Sequence, residues 1–342
     1  MKQIHGGDIY KYPGVLDFSV NVNPLGMPES VARAAKEAAA LCARYPDMHK
    51  GELTGALSEY ENVPEEYIIA GNGAAELIYA FAFALKAGKA LIAVPCFSEY
   101  ERALLAAGSR VVKYRMPGLE VKEDILEYLT EDTNALLLCS PNNPTGNVIE
   151  KELLLKIAGI CKSRRIFLML DECFLAFADD EERSSLKGYI KENDRIFILD
   201  SFTKKYAMPG LRLGYGLCSD TLLTEKMKAC LQPWNISLAA QAAGIAALKE
   251  EEYLNSARAL IKEQKKYMKA EMEKIGLKVF GSKANFIFFK GPEGLCEACL
   301  KEGILIRDCS GYEGLGSGFY RAAVLKEPEN RLLLDTLRRV LS

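Results

Sequence analysis

From about residue 67 the apolar positions fall into short, nearly uninterrupted runs at 67–70, 90–94, 109–114, 135–139, 166–170, 196–199 and 213–217. Runs of this length without polar alternation read as strands buried on both faces. Between them, helical periodicity is present near 75–87, 99–107, 122–129, 150–163 and 184–191. The alternation predicts an α/β domain with a mostly parallel, seven-stranded sheet between helical layers. Chemistry is then expected at the carboxyl ends of the strands.

The two ends of the chain read differently. Residues 1–28 have no helical period and include His5-Gly-Gly7 and Asp17-Phe-Ser-Val-Asn-Val-Asn-Pro-Leu-Gly26, an arm that other parts of the chain must hold. A helix is predicted from Pro28 to about Cys42, with Glu29 in its opening turn where the helix dipole favours it, and another over Glu52–Asn62. Leu238–Ala247 runs on into a charge-rich helical pattern to about Ile275, whose opposite charges suit an exposed helix linking two domains. Strand-like and helical segments at 286–289, 293–302, 304–307, 319–324 and 327–341 predict a small α+β C-terminal domain. The expected division is an arm and helix at 1–45 packing with the small domain, a large domain at 46–248 and the small domain at 249–342.

Composition narrows the function classes. The 342 residues carry 44 Lys and Arg against 46 Asp and Glu, so no general basic field exists to attract nucleic acid. No apolar run reaches the length of a membrane span and Met1–Gly7 has no signal-peptide character, so a cytoplasmic protein is expected. Only His5 and His49 are present, which leaves a His-rich metal site or a Ser-His-Asp triad with almost no material; no metal is expected. Ten scattered Cys, many within apolar runs, read as small buried hydrophobes, and Cys296-Glu-Ala-Cys299 lacks a second such pair. The glycines of 311–318 precede a strand-like segment, not a helix, so they do not make a dinucleotide fingerprint.

Two strand ends carry candidate chemistry. After the run at 196–199 comes Ser201-Phe-Thr-Lys-Lys-Tyr-Ala-Met-Pro-Gly-Leu-Arg212. Its lysine suits a carbonyl cofactor, and Ser201, Thr203 and Arg212 can hold a phosphate dianion. A solvated Lys-Lys pair in a loop is an equal reading of this stretch alone. Gly71-Asn-Gly-Ala-Ala-Glu76 lies between a strand and a helix, where the N–H groups of Ala74 and Ala75 can receive a phosphate.

The pattern S-x-[ST]-K-x-[FY]-x-x-x-G-x-R-x-G at 201–214 is similar to the lysine motif of the class I/II aminotransferase family, enzymes of fold type I that depend on pyridoxal 5'-phosphate. Its spacing selects Lys204 as the catalytic, cofactor-bearing residue, with Lys205 a solvated neighbour. The resemblance extends from Asn23 to Arg321. It implies a phosphate cradle at Ala74 and Ala75, Asn143 of Asn-Pro-Thr-Gly146 on the cofactor's phenolic oxygen, Asp171 on its ring nitrogen and Phe97 stacked on the ring. It also implies that Tyr45 reaches the phosphate held by the neighbouring subunit of a homodimer, and that Arg321 grips the substrate carboxylate. The family commonly has Tyr three residues after the Asp; Phe174 stands there, removing one hydrogen bond to the cofactor.

Within the family, four features resemble a branch that decarboxylates a phosphorylated amino acid: His5-Gly-Gly7, the segment 17–26, Phe174 and Ile306-Arg-Asp-Cys-Ser310. They imply His5, Asn23, Gly26, Arg307 and Arg321 as substrate contacts, with Arg307 on the distal phosphate. Transamination of a phosphorylated amine substrate onto 2-oxoglutarate is the alternative. A regulator built on this fold would add a basic DNA-binding segment, which this sequence lacks.

Overall fold

The computed structural model describes residues 6–178 and 185–342. Seven strands form the central sheet: β2 (Ile68–Gly71), β3 (Lys89–Val94), β4 (Arg110–Arg115), β5 (Ala135–Cys139), β6 (Phe167–Asp171), β7 (Ile196–Ser201) and β8 (Gly214–Leu217). Their spatial order is β2-β8-β7-β6-β5-β3-β4, with β8 antiparallel to both its neighbours and the other pairs parallel.

Successive residues of the strands alternate between two separate cores. Leu91, Leu136, Leu138, Leu168, Leu170, Ile196 and Ile198 enter one, while Ala90, Ile92, Leu137, Met169, Phe197 and Leu199 enter the other. Burial on both faces explains the nearly continuous apolar runs. Around the sheet lie α1 (Glu29–Ala39), α2 (Gly51–Glu61), α3 (Ala74–Leu85), α4 (Ser98–Ala106), α5 (Lys151–Ser163), α6 (Phe202–Lys205), α7 (Thr221–Ala229) and α8 (Leu238–Ala247).

After the 24-residue α9 (Glu251–Lys274), β9 (Lys278–Val279), β10 (Phe286–Lys290), β12 (Arg307–Asp308) and β13 (Phe319–Ala323) form an antiparallel sheet in the order β12-β13-β10-β9. Helices α10 (Leu295–Lys301) and α11 (Glu327–Leu341) belong to the same region. Here α9 contributes Met268 and Met272, and α11 contributes Leu333, Leu334 and Leu337, to a core shared with Ile287, Phe289 and Tyr320. The N-terminal arm joins this core: Phe18 is fully buried in it, and β1 (Leu16–Asp17) pairs in parallel with β11 (Ile304–Leu305).

Four details depart from the sequence reading. The expected continuous helix from 238 to 275 is two helices, broken where Glu250 accepts a hydrogen bond from Ser30 and takes a non-helical conformation. A tertiary contact overrides the helix propensity of Lys249 and Glu250. The segment 122–129 is a 3-10 helix at Glu123–Tyr128, and α7, capped by Asp220 accepting from Leu223 N, was not foreseen. Of the helix expected at 184–191, residue 184 lies outside the described residues, and the remainder contains a 3-10 turn at Lys187–Tyr189. Among the described residues, no helix is long and apolar enough to cross a membrane.

Candidate active site

The parallel strands β2, β3, β5, β6 and β7 deliver residues to one edge of the sheet, where a cavity of about 340 Å³ opens. Ala74 and Ala75 follow β2, Phe97 follows β3, Asn143 follows β5, Asp171 ends β6, and Thr203 and Lys204 follow β7. Arg212 precedes the antiparallel strand β8, which brings it to the same edge. Arg321 reaches the cavity from β13, and the arm supplies Ser19, Val20, Asn21 and Val22.

The anion end is built from backbone and one guanidinium. Gly73 precedes α3 with φ +79°, and a Cβ there would stand 2.4 Å from Arg212 Nη2. Only glycine leaves room there for the Arg212 guanidinium beside the start of α3. Arg212 also has positive φ (59°), and its Nη1 donates to Pro209 O at 3.1 Å. Gly214 packs equally close, since an added Cβ would meet Ala74 N at 2.5 Å. Ser201 is fully buried and its Oγ caps α6 by accepting from Thr203 N at 3.1 Å, leaving the hydroxyl proton to donate. A helix N-terminus, a guanidinium and Thr203 meet at the cavity as a phosphate group requires, while Ser201, expected at the phosphate, does not line it.

At the other end, Asp171 is oriented through both oxygens. Tyr100 OH donates to Oδ2 at 2.6 Å and Cys173 N donates to Oδ1 at 2.9 Å. Burial, then the neighbouring Asp171 carboxylate, push the Tyr100 phenol well above its usual range, so it remains a donor. The Phe97 ring meets Tyr100 edge-on at 5.8 Å. Tyr100 was missed in the sequence, although it stands three residues after Phe97, a spacing that shares a helix face.

The two lysines have opposite environments. Lys204 is partly exposed to the cavity, its Nζ 5.9 Å from the Phe174 ring centre. Lys205, read from sequence as a solvated neighbour, is 3% exposed and pairs with Asp200 Oδ2 at 2.9 Å. Asp200 also accepts from Tyr215 OH at 2.8 Å and lies 3.2 Å from Lys187 Nζ. Burial opposes ionisation of Asp200, but Lys205 and Lys187 outweigh it and hold the carboxyl below its ordinary value. Geometry and charge therefore tie Lys205 down and leave Lys204 facing the cavity.

Arg321 is 6% exposed and bridges three parts of the chain. Its Nη1 donates to Asn143 Oδ1, and its Nη2 donates to Ser19 O at 2.8 Å. With its amide oxygen turned to the guanidinium, Asn21 accepts from Nε at 3.1 Å and Nη1 at 3.2 Å. Phe286 lies 5.3 Å from the guanidinium carbon and 5.4 Å from Phe174, which it meets edge-on. Asn21 was also missed, although Ser19, Asn21 and Asn23 repeat every second residue, the period of one face of an extended segment.

Several expected contacts lie elsewhere. Asn23 and Gly26 do not line the cavity: the Asn23 amide bonds Lys205 O and Leu25 N, and Gly26 O accepts from Tyr253 OH. Arg307 is buried opposite Arg321 on the β12–β13 rung, 5.8 Å over Tyr312. Tyr45 is 75% exposed and packs against Trp234 at 4.6 Å, away from this cavity. His5 lies outside the described residues.

The comparisons agree with this geometry. The family "Aminotransferase class I and II" matches residues 13–337. Threonine-phosphate decarboxylase of Salmonella typhimurium is 38% identical over 99% of this chain and 96% of its own. Among solved structures, histidinol-phosphate aminotransferase from Clostridium acetobutylicum superposes with a TM-score of 0.89 at 33% identity, covering 96% of this chain and 99% of that one. L-threonine-O-3-phosphate decarboxylase from Porphyromonas gingivalis gives 0.85 at 25% identity, covering 95% and 99%. A phosphate cradle at α3, an oriented carboxylate at the end of β6 and a cavity-facing lysine after β7 fit pyridoxal 5'-phosphate, and the chain belongs to the pyridoxal-phosphate-dependent class I and II aminotransferase family.

Proposed function

We propose that this protein decarboxylates L-threonine O-3-phosphate to 1-aminopropan-2-yl phosphate, a step of cobalamin biosynthesis, as a cytoplasmic homodimer with shared sites. The observation that carries the reading is the buried Arg321, which lines the cavity beside Lys204 and Phe174. Its fork-like guanidinium suits a substrate carboxylate and fixes the orientation of that anion. Arg307 stands opposite it on the adjacent antiparallel strand, outside the cavity lining. The 38% identity to the Salmonella decarboxylase supports the same choice.

The cofactor, when bound, serves as the sink for electrons released at the substrate's Cα. Ala74, Ala75, Thr203 and Arg212 would hold its phosphate, Asp171 its ring nitrogen, Asn143 its phenolic oxygen and Phe97 one ring face. Arg321 and the arm would hold the substrate carboxylate so that the Cα–CO2⁻ bond is the one that breaks. CO2 leaves, and Lys204 delivers a proton to Cα. Phe174 gives the site no hydroxyl where the family commonly has one, and its edge-on packing with Phe286 makes that wall apolar.

The second reading is transamination of the histidinol-phosphate type, favoured by the 0.89 superposition on that enzyme. Supplying the purified holoenzyme with O-phosphothreonine and measuring CO2, then with histidinol phosphate and 2-oxoglutarate and measuring glutamate, separates them. CO2 release without glutamate is expected; glutamate without CO2 overturns the decarboxylase reading.

A further inference from the structure

The helix that carries Lys204 is four residues long. A helix this short is not stable alone, so outside groups must set its geometry. At its start Ser201 provides the cap. At its end the arm crosses the turn: Asn23 N donates to Lys204 O at 2.9 Å and Asn23 Nδ2 donates to Lys205 O at 2.9 Å. Asn23 is 1% exposed, and its Oδ1 accepts from Leu25 N at 3.1 Å, which fixes the direction of the amide.

We propose that Asn23 is a positioning residue for Lys204: by holding the carbonyls of residues 204 and 205 together, it sets the direction in which the lysine enters the cavity. This inference rests on Lys204 as the cofactor-bearing lysine and on its proton delivery to Cα. Lysine must approach its targets from one side, and displacements near 1 Å degrade such transfers by about 100-fold. The same arm meets Arg321 through Ser19 O and Asn21, four and two residues earlier. One extended segment thus references both the carboxylate anchor and the lysine.

Asn23→Ser is the decisive variant, because serine keeps a short acceptor for Leu25 N but cannot reach Lys205 O. Asn285→Ala is the control: Asn285 Nδ2 holds the same arm at Val22 O, 3.1 Å away, without touching the lysine turn. Both are measured as holoproteins for the pH midpoint of the visible cofactor band, and for product formed in D2O, analysed for the configuration of deuterium at the carbon that lost CO2. For Asn23→Ser, a midpoint moved by at least about half a unit, kcat lowered about 10-fold with little change in KM, and mixed deuterium configuration are expected. Asn285→Ala should keep the wild-type midpoint and a single configuration. Wild-type behaviour of Asn23→Ser, or equal changes in both variants, overturns the proposal. If wild-type protein releases no CO2, the decarboxylase reading fails on its own and the band midpoints still decide the role of Asn23; a wild-type band that borohydride does not fix on Lys204 refutes the lysine assignment first.

Discussion

Tyr100 donates its phenolic proton to Asp171 Oδ2 across 2.6 Å of buried space, while Cys173 N occupies the other carboxylate oxygen. The carboxylate therefore cannot rotate without losing a bond. Removing only the hydroxyl, in Tyr100→Phe, keeps the ring that meets Phe97 and frees one oxygen of Asp171. Hydrogen bonds to charged groups contribute about 1.5–3 kcal/mol, so cofactor affinity should fall roughly 10-fold or more in equilibrium dialysis. Unchanged affinity would show that Cys173 N alone orients Asp171.

Lys205 and Lys204 should respond oppositely to truncation. Lys204→Ala should abolish the borohydride-fixable visible band while melting near wild type. Lys205→Ala leaves Asp200 buried beside one fewer cation, and breaking a buried pair in this way costs about 3–5 kcal/mol. Its signature is a lowered denaturation midpoint with the band retained in whatever fraction folds.

Glu172 gives stability a pH dependence of identifiable sign. Burial pushes its carboxyl up to about 7, against the opposing effects of Lys187, Ser185 Oγ and Leu186 N. Its folded value lies above the unfolded one, so the associated stability is complete below about pH 4.5 and is lost as pH rises through about 7. At 1.36 kcal/mol per unit this amounts to roughly 3 kcal/mol. Glu172→Gln, which can still accept from Leu186 N and meet Ser185, should flatten the fall in denaturant-measured stability between pH 5 and 8. A slope identical to wild type would assign it to other groups.

Arg321→Lys keeps the charge but loses the fork that spans Ser19, Asn21 and Asn143. KM for the substrate should rise by about 10- to 100-fold, with a smaller change in cofactor affinity. A loss confined to kcat would argue against carboxylate binding by this residue.

Tyr45, exposed and stacked on Trp234, is expected to complete a neighbouring subunit's site. Mixing inactive Lys204→Ala protein with a Tyr45→Ala variant should restore part of the activity through heterodimers. A monomer in sedimentation at working concentration would remove this role.

The central sheet was legible because its strands are buried on both faces, and the apolar runs at 135–139 and 166–170 bracket β5 and β6 to within a residue. The family resemblance singled out Lys204, Asp171 and Arg212, which the fold places at one cavity, after β7, at the end of β6 and before β8. What escaped depends on contacts far apart in sequence. Nothing local to Lys205 announces that Tyr60 and Tyr215 close over it, and nothing local to Glu250 announces Ser30. Asn23 was read as a substrate contact because its motif is shared; the chain instead folds it against residues 182 positions away.

Strand β8, the one reversed strand of the central sheet, has a consequence for substrate selection. Its reversal makes residues 202–213 a single short connection between neighbouring strands, so Lys204 and Arg212 stand at the same edge of the sheet. The distance from the Arg212 guanidinium to Lys204 is thereby bounded like the span of a caliper. Arg321 sits on a different sheet but is tied to the lysine turn through the arm, by Ser19, Asn21 and Asn23. A mutation in the arm should therefore alter the seats of substrate and lysine together while Arg212 stays in place.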